Sequence, residues 1–219
     1  MFPLRDVIPS RTTPVVTILI IVLNVLAFFY EQSFDQQGLE VFLRTWGFVP
    51  AVFAWPTIFT SMFLHGSLWH LAGNMWSFWI FGDNVEDRLG HGRYVVFYLL
   101  CGVIAAVAHA LSEPGSPVPT IGASGAIAGI MGAYFVLYPR SRVLTLIPLV
   151  IFWEVIELPA TMLLGFWFLM QLFSAGAIAV TSATGGGGVA FMAHVAGFLC
   201  GAAGIFLFRQ PERPEQYWA

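Results

Sequence analysis

Gly122-Ala123-Ser124-Gly125-Ala126-Ile127-Ala128-Gly129-Ile130-Met131-Gly132-Ala133-Tyr134-Phe135-Val136-Leu137-Tyr138-Pro139-Arg140 is an apolar run that opens on a serine and closes on an arginine. It is typical of a chain of 219 residues that is 58% hydrophobic and 10% charged, with a mean hydropathy of +0.80. Soluble domains carry about 25% charged residues, so an ordinary soluble domain is excluded. The apolar runs are too long for strands, and a bilayer is spanned only by helices or closed barrels. The fold class expected is an all-α polytopic membrane protein, with the lipid bilayer as its first partner.

Six apolar segments can be marked, at about Pro14–Tyr30, Thr57–Phe81, Tyr94–Leu111, Ser124–Tyr138, Leu158–Val180 and Val189–Phe208. This divides the chain into an N-terminal segment 1–13, a six-span membrane domain 14–208 and a C-terminal tail 209–219. The apolar stretch Val143–Trp153 is followed by Glu154, Glu157 and Pro159, and is read as interfacial or partly buried. A seventh span there is the competing reading.

Every basic residue is an arginine. Arg5 and Arg11 precede the first span, Arg88 and Arg93 separate the second from the third, Arg140 and Arg142 follow the fourth, and Arg209 and Arg213 follow the sixth. With six spans all of these share one side, and only Arg44 lies opposite. The positive-inside rule then makes both termini cytoplasmic, whereas a seventh span would put the C-terminal arginines outside. The expected location is a prokaryotic cell (inner) membrane. The formal net charge of -3 gives no reason to invoke nucleic acid, and no oligomeric state is read from the chain. Cys101 and Cys200 both fall in apolar spans and are expected to pack as free thiols.

Counting back from the arginines places two polar residues at one depth. Ser124 is 16 residues before Arg140, roughly 24 Å of helix at 1.5 Å per residue. His194 is 15 residues before Arg209, roughly 22 Å. Against a hydrocarbon core of about 30 Å, both lie below the outer surface. The Pro- and Gly-rich stretch Glu113–Gly122 must then dip inward as irregular backbone, which is tolerated only inside protein or along a wet cavity. Stripes of small residues, Gly125/Gly129/Ala133 and Ala193/Gly197/Gly201, allow the two helices to approach. A packing surface alone would account for Gly122-Ala123-Ser124-Gly125. An ionisable residue within a span points to function, and a serine beside a histidine suggests a nucleophile and its base.

The second span reads Phe63-Leu64-His65-Gly66-Ser67-Leu68-Trp69-His70-Leu71-Ala72-Gly73-Asn74. His70 and Asn74, four apart, share a helical face and can both donate hydrogen bonds. With the backbone N–H of Ser124 at a helix start they could hold a developing oxyanion. His65, nearer the outer end, braces loops or water. No carboxylate qualifies as a third catalytic member, because Glu86, Asp87, Glu154 and Glu157 all lie towards the cytoplasm, so packing is expected to orient the imidazole. His91 and His109 read as solvated or interfacial.

At these residues the sequence resembles the rhomboid family of intramembrane serine proteases. The resemblance rests on His65, His70 and Asn74, on Gly122-Ala123-Ser124-Gly125 and on Ala193-His194-Val195-Ala196-Gly197, in that order across a six-transmembrane-helix rhomboid-like bundle. It implies Ser124 as nucleophile and His194 as base. His70, Asn74 and the Ser124 amide become oxyanion donors, supported by His65, Gly122 and Gly125. It also implies cleavage of transmembrane protein substrates near the outer end of their own helix, at a site open to the extracytoplasmic side, through an acyl-enzyme and without metal or cofactor. Glu86 and Arg88 match a structural motif joining the second and third spans. Phe166, Trp167, Phe168 and Phe173 place the fifth span as a mobile wall for lateral access. One departure is Trp55-Pro56-Thr57, where many members carry Trp-Arg. A channel or transporter, and a non-catalytic binder of membrane proteins, remain readings from other classes.

Overall fold

The fold was analysed in a computed structural model that describes residues 2–149, 152–181 and 190–210. Among the described residues eight α-helices dominate: α1 (Val15–Glu31), α2 (Gln36–Trp46), α3 (Trp55–Ser61), α4 (Leu68–Leu89), α5 (His91–Ser112), α6 (Ser124–Leu137), α7 (Ala160–Thr181) and α8 (Phe191–Phe208). Three strands join them, β1 (Phe2–Asp6), β2 (Arg142–Leu149) and β3 (Phe152–Pro159). By length and composition three helices among the described residues can cross a membrane, at His91–Ser112, Ala160–Ala177 and Phe191–Phe208, and α1 and α6 are shorter apolar helices.

α6 is the axis of the bundle. Its residues Gly125 to Tyr134 are all buried, and α4, α5, α7 and α8 pack around it. A helix that is apolar all round must be enclosed, and small side chains decide how closely. A Cβ on Gly197 would collide with the carbonyl oxygen of Gly125, one on Gly201 with that of Gly129, and one on Gly132 with that of Phe198. The α6–α8 contact is therefore backbone against backbone. Gly132 belongs to it as well as the two stripes legible in the sequence.

Two expectations need correction. The second apolar segment is not one span from Thr57 to Phe81 but α3, a turn over 62–67, and α4. Ser67 breaks it by capping α4, its hydroxyl accepting from the His70 N–H at 3.1 Å. Nor is the chain all-α. Of the stretch Val143–Trp153 read as interfacial, residues up to Leu149 lie in β2 and Phe152 and Trp153 in β3, while residues 150 and 151 lie outside the described ones; with β1 the two strands make an antiparallel sheet of order β1-β2-β3. An apolar run of this length is too short to cross a bilayer, yet its backbone groups still need partners. Pairing in a sheet supplies them, and the period-2 pleat buries Val143 and Thr145 on one face. The N-terminal segment is equally structured, because β1 docks on β2.

Hydrogen bonds tie the arginine-bearing segments together at one end of the bundle. The Val7 N–H donates to the Arg142 carbonyl, the Arg11 N–H to Asp87 and the Gln210 N–H to the Arg88 carbonyl. α1 starts without a side-chain cap of its own. Glu86 of α4 serves instead, accepting from the N–H groups of Val16 and Thr17 at 2.9 and 2.8 Å and from the Thr17 hydroxyl at 2.7 Å. A buried carboxylate against a helix N-terminus satisfies orphan donors and meets the positive end of the dipole. Beside the sheet, the Asp6 carboxylate accepts from the Tyr134 hydroxyl at 2.7 Å, and burial raises its pKa to about 6.

Candidate active site

Ser124 is the first residue of α6, where N–H groups lack intrahelical acceptors. The irregular stretch leading to it is held by protein. Phe48 and Thr120 exchange backbone hydrogen bonds at 3.1 and 2.7 Å, and the Gly122 N–H donates to the Ser61 carbonyl at 2.8 Å. Gly122 has φ +124, and a Cβ there would lie 2.8 Å from the His70 ring and 3.6 Å from the Asn74 amide nitrogen. A glycine is required on both counts. The same contact shows that His70 and Asn74 of α4 flank the backbone entering Ser124. Gly125 acts differently, since its missing side chain makes room for Ala105 of α5.

His194 comes from the first turn of α8. Its Nε2 lies 2.8 Å from Ser124 Oγ, with no chain connection shorter than 70 residues between them. Its Nδ1 lies 2.8 Å from Oε1 of Gln171 in α7. The Trp167 ring, one turn earlier on α7, sits 5.8 Å from the imidazole at a tilt of 36°. Packing contributes to the ring's orientation, as expected, and a side-chain amide contributes too.

His65 is not on α4. It lies buried in the turn before it, where the Asn74 amide donates into its Nε2 at 2.9 Å. Its backbone N–H reaches the buried carboxylate of Glu31, the last residue of α1, at 3.2 and 3.3 Å. The His65 and His70 rings meet edge to face, with centroids 5.0 Å apart. Of the two histidines read as solvated or interfacial, His91 is half exposed, with its Nδ1 2.6 Å from Glu86 at the far end of α4 from His70, while His109 is buried towards the C-terminal end of α5, which corrects the reading for that residue.

Gln171 and Glu31 did not emerge from the sequence as site neighbours. The first is a lone amide within an apolar span, a pattern that invites a functional reading. Of the fifth-span aromatics, Trp167 and Phe168 face inward onto α8 while Phe166 and Phe173 are exposed. Cys101 and Cys200 are free thiols. Among the described residues, no group of three or more His, Cys, Asp or Glu side chains is placed to hold a metal ion. Chemically, the arrangement offers a hydroxyl hydrogen-bonded to an imidazole, beside amide and imidazole donors at a helix start.

Over 124 residues the chain is 36% identical to the rhomboid protease GluP of Bacillus subtilis, a match covering 55% of this chain and 24% of that protein. It is 29% identical over 92 residues to the mitochondrial rhomboid protein 1 of Saccharomyces cerevisiae, covering 40% and 27% respectively. It is 32% identical over 156 residues to the mitochondrial RHOMBOID-like protein 6 of Arabidopsis thaliana, covering 71% and 44%. The chain thus spans between a quarter and under a half of these relatives. The family model for the Rhomboid domain matches residues 52–211, which hold His65, His70, Asn74, Ser124, Gln171 and His194. With more than half of its length matched, and α4, α6, α7 and α8 inside the match, the chain belongs to the rhomboid family.

Proposed function

We propose that this protein is an intramembrane serine endopeptidase acting on transmembrane protein substrates. The observation that carries the proposal is the 2.8 Å approach of His194 Nε2 to Ser124 Oγ between two helices in backbone contact. In this reading α1, α4, α5, α6, α7 and α8 cross the membrane. The end bearing β1, the α4–α5 junction and Arg209 faces the cytoplasm, and the site opens to the other side.

Ser124 Oγ attacks the scissile carbonyl as its proton passes to His194 Nε2. Negative charge gathers on the carbonyl oxygen, where His70, Asn74 and the Ser124 N–H supply donors. Collapse breaks the C–N bond, and His194 returns the proton to the leaving amine. Water, deprotonated by the same imidazole, then hydrolyses the acyl-enzyme. A helical substrate must unwind locally, because its backbone hydrogen bonds shield the carbonyl.

Labelling the purified protein with a fluorophosphonate, alongside cleavage of a test transmembrane substrate, checks this directly. Ser124 should be the modified residue, and Ser124→Ala should lose both label and cleavage. Solute flux that survives Ser124→Ala, without any cleavage by the unmodified protein, would establish a transporter instead.

A further inference from the structure

We propose that Gln171 is the positioning residue of the catalytic pair, doing with a neutral amide what a carboxylate does in a three-membered charge relay. The inference rests on the serine-protease reading and adds a residue to it. For Nε2 of His194 to accept the Ser124 proton, the ring must carry its own proton on Nδ1. That Nδ1–H needs an acceptor, and Gln171 Oε1 stands 2.8 Å from it. Among the described residues, no carboxylate hydrogen-bonds His194. The chemistry of the surroundings explains the choice. His194 is 8% exposed within an apolar helix, where an ionised carboxylate would carry a large desolvation cost and an amide carries much less. With the amide removed, the ring is free to adopt the other tautomer, in which Nε2–H points at Ser124 Oγ and no base faces the nucleophile.

The amide's position in the fold adds a consequence. Gln171 and Trp167 are four residues apart on α7 and both address the imidazole. α7 is the most peripheral of the three long apolar helices, with 22% of its span buried against 39% for α5 and α8. The nucleophile and the base therefore sit on enclosed helices, while the group that sets the base's tautomer sits on one at the edge. Seating of α7 and competence of the pair are linked through one hydrogen bond.

The test compares wild type, Gln171→Met (same length, no acceptor) and Gln171→Glu (same length, acceptor kept), with Ser124→Ala as the blank. Gln171→Met should slow fluorophosphonate labelling of Ser124 and lower kcat by about 10–100-fold, with KM within about twofold. Gln171→Glu, whose carboxyl in its neutral form keeps the same C=O acceptor, should recover most of that loss, which a purely space-filling role would not produce. Wild-type rates in Gln171→Met, or equal losses in both variants, would overturn the proposal. Failure of the protease reading looks different: the wild type itself shows no Ser124-dependent label or cleavage. Histidine ¹⁵N spectra of the wild type, with His194 assigned by difference from His194→Ala, decide the matter even if Gln171→Met does not fold. An Nδ1–H tautomer at His194 supports the assignment, and an Nε2–H tautomer overturns it.

Discussion

Asn74 donates its amide N–H to Nε2 of His65 at 2.9 Å, across the turn that separates the two residues. Because the His65 backbone is itself fastened to Glu31 at the end of α1, one donor beside Ser124 is oriented by a chain of contacts reaching two helices away. In the proposed mechanism, Asn74→Ala and His70→Ala should each lower kcat by about 10²–10³-fold, the usual cost of losing an oxyanion donor. His65→Ala should lower it less, by about tenfold, because it loosens a donor without removing one. Steady-state cleavage assays on the three variants check the order.

Gly122→Ala should be more damaging than its size suggests. A side chain at φ +124 is strained, and its Cβ would press on the His70 ring. We expect at least a tenfold loss of kcat with the protein still folded, as read by cleavage rate and by size-exclusion profile.

Gly197→Ala should lower stability by about 1–3 kcal/mol, the usual cost of overpacking. The new methyl meets the Gly125 carbonyl, which belongs to backbone and cannot swing aside. Gly92→Ala, where a Cβ would meet nothing within 4 Å, is the matched control and should leave Tm unchanged or raise it. Thermal unfolding in detergent compares the two.

Glu86→Ala should destabilise the fold by about 2 kcal/mol, because it leaves buried N–H groups of α1 without an acceptor. Glu86 lies at the opposite end of α4 from His70, so the fluorophosphonate labelling rate per folded molecule should stay near wild type. A Tm measurement paired with labelling separates the two effects.

Asp6 gives the three-stranded sheet a pH dependence of definite sign. Burial lifts its folded pKa from 3.8 to about 6, against the pull of the Tyr134 hydroxyl. The folded state therefore holds a proton that the unfolded state has released between these values. This group's contribution to stability is full below pH 3.8, falls as pH rises to about 6, and is flat above. Asp6→Asn should remove that part of the pH dependence and raise Tm at pH 7, as read from melting curves of the two proteins from pH 5 to pH 7.

Five of the six apolar segments, each realised as one helix, the clustering of arginine-bearing segments at one end and the close approach of Ser124 and His194 were legible in the chain itself. Each follows from one-dimensional quantities, namely the length of an apolar run, the rise of a helix and the residue count back to an arginine. Family membership was legible for a related reason, since its motifs are contiguous or helically spaced. The rest depended on contacts between segments remote in sequence. The break at Ser67 lay hidden because the polar residues within Thr57–Phe81 read as functional groups of one apolar segment, and only the cap distinguishes two helices from one. The sheet was missed because short, mostly apolar runs suit a strand or a buried helix equally, until β1 arrives from the start of the chain to pair with β2. Glu31 was missed because its partner, the His65 backbone, is remote in sequence, and Gln171 for want of a depth marker. No arginine flanks the fifth span to set its register, so only the packing of α7 on α8 brings the Gln171 amide to the far nitrogen of His194. Hydrophobic length and charge place a helix in the membrane, but its rotation about its own axis is set by the side chains it meets.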